Sequence, residues 1–242
     1  MFRHQGKART LKHNLKIASL LSFVAGLVNV AGFLSVQRLT TNVTGHFAFL
    51  VDEIYKLNFV GGLIFLLYII SFFLGSFFSN LLIEIISRKS ERFIFTAPVV
   101  IEVVILSAIA IFGQSYIIER PDLIACSLLF AMGLQNSLVT KISNAVVRTT
   151  HLTGLFTDLG IELSQLFFYD SKEQKKFLFS SIRLRMRIIS FFFIGGIIGG
   201  VFYSRIKLAV LLIGGVVLLL GLIYDNLKVN LTLLKRKYSG SK

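Results

Sequence analysis

The chain has 242 residues, is 55% hydrophobic, carries charge at only 16% of positions and has a mean hydropathy of +0.77. Water-soluble domains run nearer about 45–50% apolar and about 25% charged, so a soluble globular domain is excluded. The formal charge of +14 is not a nucleic-acid signature either, because the basic residues fall between apolar runs and not beside an exposed aromatic platform.

In chain order the apolar runs are Ile17–Val36, Phe59–Ile86, Phe93–Gly113, Leu123–Thr140, Ile188–Ser204 and Leu208–Tyr224. Each approaches the ~20 residues that a helix needs to cross a hydrocarbon layer ~30 Å thick. The fold class that follows is all-α, a polytopic membrane helical bundle with about six transmembrane helices. The first run, with its basic lead, resembles a signal peptide, but it is long and no A-x-A-like cleavage site follows it, so it reads as a retained span.

Four basic clusters separate the runs. Arg3, Lys7, Arg9, Lys12 and Lys16 precede the first; Arg88, Lys89 and Arg92 follow the second. Lys172, Lys175, Lys176, Arg183, Arg185 and Arg187 precede the fifth, and Lys228, Lys235, Arg236, Lys237 and Lys242 close the chain. Six crossings put all four clusters on one side, and positive loops stay cytoplasmic. Both termini are therefore expected in the cytoplasm, as basic tails 1–16 and 228–242 of a multi-pass protein of the cytoplasmic membrane.

One phrase occurs twice. Thr40-Thr41-Asn42-Val43-Thr44-Gly45 and Thr149-Thr150-His151-Leu152-Thr153-Gly154 share the form TT-x-x-TG, and each follows an apolar run. Phe47, Leu50 and Glu53 recur as Phe156, Leu159 and Glu162, while Gly26-x-x-Asn29 recurs as Gly133-x-x-Asn136 with a two-residue slip. This predicts one integral membrane domain, 1–242, built from a duplicated unit: repeat 1 at about 17–113 and repeat 2 at about 123–224. An odd number of spans per copy turns the second upside down, giving two inverted three-helix repeats. The first phrase is then expected near the outer face and the second near the inner face. The segments Phe47–Leu57 and Leu155–Phe168 read as short re-entrant or interfacial helices, because full crossing by both would carry the Arg88–Arg92 loop outside.

Candidate functional residues cluster around the phrases. Gly45 and Gly154 permit close backbone approach, and Thr41, Asn42, Thr44, Thr150 and Thr153 can cap the following helix or bind a solute beside its N-terminus. His46 and His151 sit at non-equivalent positions, either as titrating groups or as hydrogen-bonded structural residues. Asp158, Glu162 and Gln165 share one helix face, and Asp52 can pair with Lys56. These polar stripes fit an aqueous pathway or an interfacial helix. Asn29, Gln135 and Asn136 are amides within spans, either glue between helices or ligands to a solute. Glu102, four residues after Pro98, is a mid-span carboxyl. It reads as a coupling group or an uncharged buried acid, with Asn29 or Asn136 as candidate partners.

Gly195, Gly196, Gly199 and Gly200 form overlapping G-x-x-x-G patterns for close helix packing, and Gly75 with Ser71, Ser76 and Ser79 reads the same way. There is no G-x-S-x-G, C-x-x-C, zincin helix or P-loop, and neither histidine has metal-ligand spacing. No enzyme, cofactor or metal is expected.

Phe23-Val24-Ala25-Gly26-Leu27-Val28-Asn29-Val30-Ala31-Gly32-Phe33, Asn42-Val43-Thr44-Gly45-His46, Gly133-Leu134-Gln135-Asn136 and Arg148-Thr149-Thr150-His151-Leu152-Thr153-Gly154 together resemble the YoaK-like family of bacterial membrane proteins. The resemblance runs from Ile17 to Tyr224 and implies a multi-span fold of unknown function. The layout is also similar to half of a major-facilitator transporter, an analogy of fold alone. The reading is a secondary transporter or permease of a small solute in the lipid bilayer, with a homodimer as a candidate assembly because one such unit makes a small pathway. The alternative is a non-transporting scaffold, assembly factor or sensor.

Overall fold

A computed structural model describes residues 9–88 and 94–239, with side chains through Leu227. Arg3, Lys7, Lys89, Arg92 and Lys242 lie outside the described residues, as do the side chains of Lys228, Lys235, Arg236 and Lys237. The described residues form helices α1 (Leu11–Val36), α2 (Thr44–Tyr55), α3 (Phe59–Ser87), α4 (Thr96–Tyr116), α5 (Pro121–Ser143), α6 (Leu152–Gln165), α7 (Lys172–Ile206) and α8 (Leu211–Ser239), with no strand among them. Among the described residues five stretches are long and apolar enough to cross a membrane: α1, α3, α4, α5 and Lys172–Leu227. The last is not one helix, since a 3-10 turn at Lys207–Val210 divides it into α7 and α8.

Several boundaries extend beyond the apolar runs. α7 begins at Lys172, well before Ile188, because the Ser171 hydroxyl accepts the Gln174 N–H at 3.2 Å and the intervening Lys, Gln and Arg are good helix formers. α5 begins with Pro121, whose missing N–H costs nothing at the first helical position. Burial separates the helices into two roles: 61% of the α1 span and 67% of the α5 span are buried, against 22% of α3. α1 and α5 form the centre. α3 turns Phe73, Phe77 and Phe78 outward, an apolar surface suited to lipid.

The tightest packing is between the two halves of the chain. A Cβ on Gly26 of α1 would strike the Phe192 carbonyl oxygen, and one on Gly195 of α7 would strike that of Phe23. The same reciprocal arrangement joins α3 and α5, where Gly75 meets the Phe130 carbonyl and Gly133 that of Phe72. Every member of this set is an F-x-x-G pair: Phe23/Gly26, Phe72/Gly75, Phe130/Gly133 and Phe192/Gly195. The Ser76 hydroxyl adds a bond to the Gly133 carbonyl at 3.1 Å. Small residues let helix backbones approach closely, which supplies the dispersion contacts that hold helices together where lipid removes the hydrophobic drive.

Contacts along each pair fix the directions. Phe23 lies beside Gly195 and Val30 beside Gly200, so α1 and α7 run parallel. Tyr68 donates to Asp122, and Lys141 bonds Glu84 at 2.8 Å, so α3 and α5 run parallel too. α4 and α8 are antiparallel, with Gly113 by Leu208 and Gly215 by Val103. Exchanging the first four helices with the last four maps three packed pairs onto three others: α1–α7 onto α5–α3, α2–α3 onto α6–α7, and α4–α5 onto α8–α1.

Candidate functional site

Each half bends back on itself just after its first helix. α1 ends at Gln37 and α5 at Asn144, both left-handed caps with φ near 54° and 52°. These caps stand equally far beyond Asn29 and Asn136, so the two-residue slip lies after them, in the longer 145–149 connection, where Ala145 is also left-handed at φ 61°. The Thr41 hydroxyl then donates to the Asn29 carboxamide oxygen at 2.7 Å, and the Thr150 hydroxyl to that of Asn136 at 3.0 Å. Because Asn29 lies about two turns before the end of α1, this bond draws the chain about 10 Å back along its own helix.

From that depth a short helix runs out again. α2 packs against α3, with Leu50 by Gly62 and His46 against Phe65 and Tyr68. Its first turn therefore lies about 14 Å below the start of α3, close to half the thickness of a hydrocarbon core. α6 does the same against α7, with Glu162 by Ser181 and Asp158 by Arg185. At 12 and 14 residues, α2 and α6 extend about 18–21 Å and are too short to cross. Since α2 opposes α3 and α6 opposes α7, the two short helices point in opposite directions with their N-termini facing each other.

Between these N-termini lies a cavity of about 490 Å³. Asn29, Thr41, Asn42 and Thr44 line it from the first half; Thr150, His151, Thr153 and Gly154 line it from the second. Phe72 and Phe192, which share the equivalent F-x-x-G position, flank it from α3 and α7. No charged side chain among the described residues lines it. The first turns of two helices, with free N–H groups and the positive ends of their dipoles, converge on a wall of amides, hydroxyls and one imidazole.

The two phrases were expected at opposite faces. They meet in one cavity instead, because the Asn–Thr bonds fold both loops inward by a similar depth. Gly45, His46, Gln135 and Asn136 do not line that cavity. Gly45 sits behind it, its N–H directed at the Asn42 carboxamide at 3.5 Å. His46 is fully buried, with one ring nitrogen 2.6 Å from the Leu39 carbonyl. Asn136 is a second layer that holds Thr150 and, more loosely, Thr149. Gln135 donates to the Leu21 carbonyl at 3.2 Å and to Thr149 at 3.3 Å, tying the second loop to α1.

Asp158 and Glu162 are committed elsewhere. Arg185 grips Glu162 through two nitrogens at 2.8 and 2.9 Å and reaches Asp158 at 2.9 Å, while Ser181 adds a bond to Glu162 at 2.5 Å. Asp158 and Glu162 thus pin α6 to α7. Asp52 pairs with Lys56 at 2.5 Å as the spacing predicts, and this bond raises the Lys56 pKa above its ordinary value. Glu102 is fully buried, apart from the cavity, and neither carboxyl oxygen has a hydrogen-bond partner among the described residues, Asn29 and Asn136 included.

Sequence reasoning missed Phe72, Phe192 and Arg185. The first two were detectable, since F-x-x-G occurs in four of the long helices at matching positions. Arg185 was read only as part of a basic cluster. Glu162 lies 23 residues away, and no local spacing links them.

The helices and their apolar surfaces define a multi-pass membrane protein. Residues 17–224 match the family described as protein of unknown function DUF1275, and the chain belongs to that family. It is similar to the UPF0700 transmembrane protein YoaK of Bacillus subtilis (strain 168), with 27% identity over 183 residues that cover 75% of this chain and 80% of the relative. The YoaK-like resemblance is thereby confirmed. No solved structure matches the chain.

Proposed function

We propose that the protein is a permease or secondary transporter of a small solute, and that the solute passes through the cavity between the two TT-x-x-TG phrases. The carrying observation is that cavity: two copies of one motif, distant in sequence, present matching threonines, Thr41 with Thr150 and Thr44 with Thr153, to a single space. Non-helical backbone at membrane depth is tolerated where it lines a polar cavity, and facing half-helix ends are a recurrent way to bind a solute there. The absence of lining carboxylates and the converging positive helix ends favour an uncharged polar or anionic solute over a cation.

The accompanying layout is six spans, α1, α3, α4, α5, α7 and α8, as two inverted repeats in the cytoplasmic membrane. The helix directions above support it, because they bring Lys12, Lys16, Arg88, Lys141 and Lys172 to one side, and positive ends stay cytoplasmic. The first loop then dips in from outside and the second from inside. The protein is a conduit, not a catalyst.

The test is flux of small polar and anionic solutes into proteoliposomes, with Thr41→Val and Thr150→Val as paired variants. Flux that falls in both supports the reading. Silence across a broad solute panel, with the folded protein shown to be inserted, favours the scaffold class.

A further inference from the structure

A second large space lies away from the cavity, on the outer surface where α1, α7 and α8 meet. It is an open groove of about 720 Å³. Its rim carries four cations, Lys12 and Lys16 from α1 and Arg183 and Arg187 from α7, and no acidic side chain among the described residues lines it. Its floor is apolar: Leu20, Phe23, Phe191 and Val217 continue inward from that rim.

Those two chemistries are ordered by depth. From Lys12 to Phe23 is about 16 Å along α1, close to half of a ~30 Å hydrocarbon core. The groove therefore offers positive charge at headgroup level and an apolar slot one leaflet long. Two of the cations are braced: Lys16 bonds the Tyr224 hydroxyl at 2.9 Å, and the Arg187 guanidinium lies over the Phe191 ring at 5.6 Å. Neither contact neutralises charge. No carboxylate pairs with any of the four among the described residues, although the adjacent Arg185 is fully engaged by Glu162 and Asp158.

A cluster of unneutralised cations above an apolar slot needs an occupant with the converse build, an anionic head and a hydrocarbon tail. A second copy of this chain docked by two-fold symmetry would instead set the four cations against four more. We infer that the groove is a binding site for an anionic phospholipid of the cytoplasmic leaflet, its phosphate held by Lys12, Arg183 and Arg187 and one acyl chain laid along Phe23 and Phe191. This site is independent of any solute route through the cavity.

The experiment is competitive lipid retention by the full chain in nanodiscs and in detergent, with phosphatidylglycerol against phosphatidylcholine, read by native mass spectrometry and thermal unfolding. The wild-type protein is expected to retain phosphatidylglycerol selectively and to unfold at a higher temperature with it. Lys12→Gln combined with Arg183→Gln is expected to reduce that selectivity about thirtyfold, at about fivefold per cation. Lys172→Gln with Lys176→Gln, an equal loss of charge outside the groove, leaves it unchanged. Equal retention of the two lipids by the wild type overturns the inference whether or not the variants fold, and so does equal loss in both variants. Stabilisation by millimolar inorganic phosphate that matches that of the lipid would assign the cations to a free anion and overturn the lipid site.

Discussion

The Thr41 hydroxyl donates to the Asn29 carboxamide oxygen at 2.7 Å, and this bond sets how deeply the first loop enters the bundle. Its counterpart, Thr150 to Asn136 at 3.0 Å, does so for the second. Interhelical polar bonds in membrane proteins contribute on average about 0.6 kcal/mol and at most about 1.7. Asn29→Ala and Thr41→Val should each lower stability within that range. A double-mutant cycle on thermal unfolding in detergent should return a coupling energy for Asn29–Thr41, and an Asn29–Thr150 cycle should return none.

Gly26, Gly75, Gly133 and Gly195 each face a carbonyl oxygen of the partner helix, and neither backbone can yield locally. Alanine at any one of them should cost about 1–3 kcal/mol or more through overpacking, seen as reduced folded yield and earlier thermal unfolding. Gly154 is the contrast, since nothing lies within 4 Å of its would-be Cβ. Gly154→Ala should fold normally and place a methyl in the cavity, so any loss of flux in that variant isolates the cavity from the fold.

Glu162 and Arg185 form a bidentate pair whose side chains are 11% and 21% exposed. Removing one partner of a largely buried pair strands the other charge, so Glu162→Gln should destabilise by about 3 kcal/mol. Asp158 is 49% exposed, and Asp158→Asn should cost under about 1 kcal/mol after solvent screening. Equal effects from the two would contradict the geometry.

Ala145 is held at φ 61°, where an L side chain crowds the following carbonyl. Ala145→Gly should raise stability by about 0.5–1 kcal/mol, the relief of strain exceeding the added freedom of the unfolded chain. Chemical unfolding with matched slopes would measure it.

Glu102 presents two carboxyl oxygens to an apolar surround with no hydrogen bond to either. Glu102→Leu, a neutral side chain of similar size, should therefore leave stability unchanged or raise it by about 1–3 kcal/mol. A stabilised variant whose flux has lost its dependence on a proton gradient would show that the carboxyl is kept for coupling.

Much of the scaffold was legible because lipid imposes a simple rule on composition: long apolar runs and flanking cations declare spans whatever their neighbours. The recurrence of G-x-x-N was legible because both copies meet the same demands: Gly26 and Gly133 each face a carbonyl of a neighbouring helix, and Asn29 and Asn136 each hold a threonine. What hydropathy could not show was the helix continuing through charged residues, as α7 does from Lys172 to Arg187. Nor could it show the meeting of the two phrases. That depends on side-chain bonds that reverse the chain, and an apolar run reads the same whether the loop after it stays at the surface or turns inward. The partner of Asp158 and Glu162 was not legible, because a polar helix face marks a need for partners without saying whether the partner is water or Arg185.

The parallel contact of α1 with α7 also bears on how the chain assembles. A ribosome that inserts helices in order releases α1 long before α7 exists, so the glycine face at Gly26 must sit against lipid while most of the chain is still being made. The early helices are thus provisional lodgers in the bilayer, open to chaperones, proteases and wrong pairings. Secure closure waits for the Phe192–Gly195 stretch, which the ribosome reaches only when about four-fifths of the 242 residues have been made.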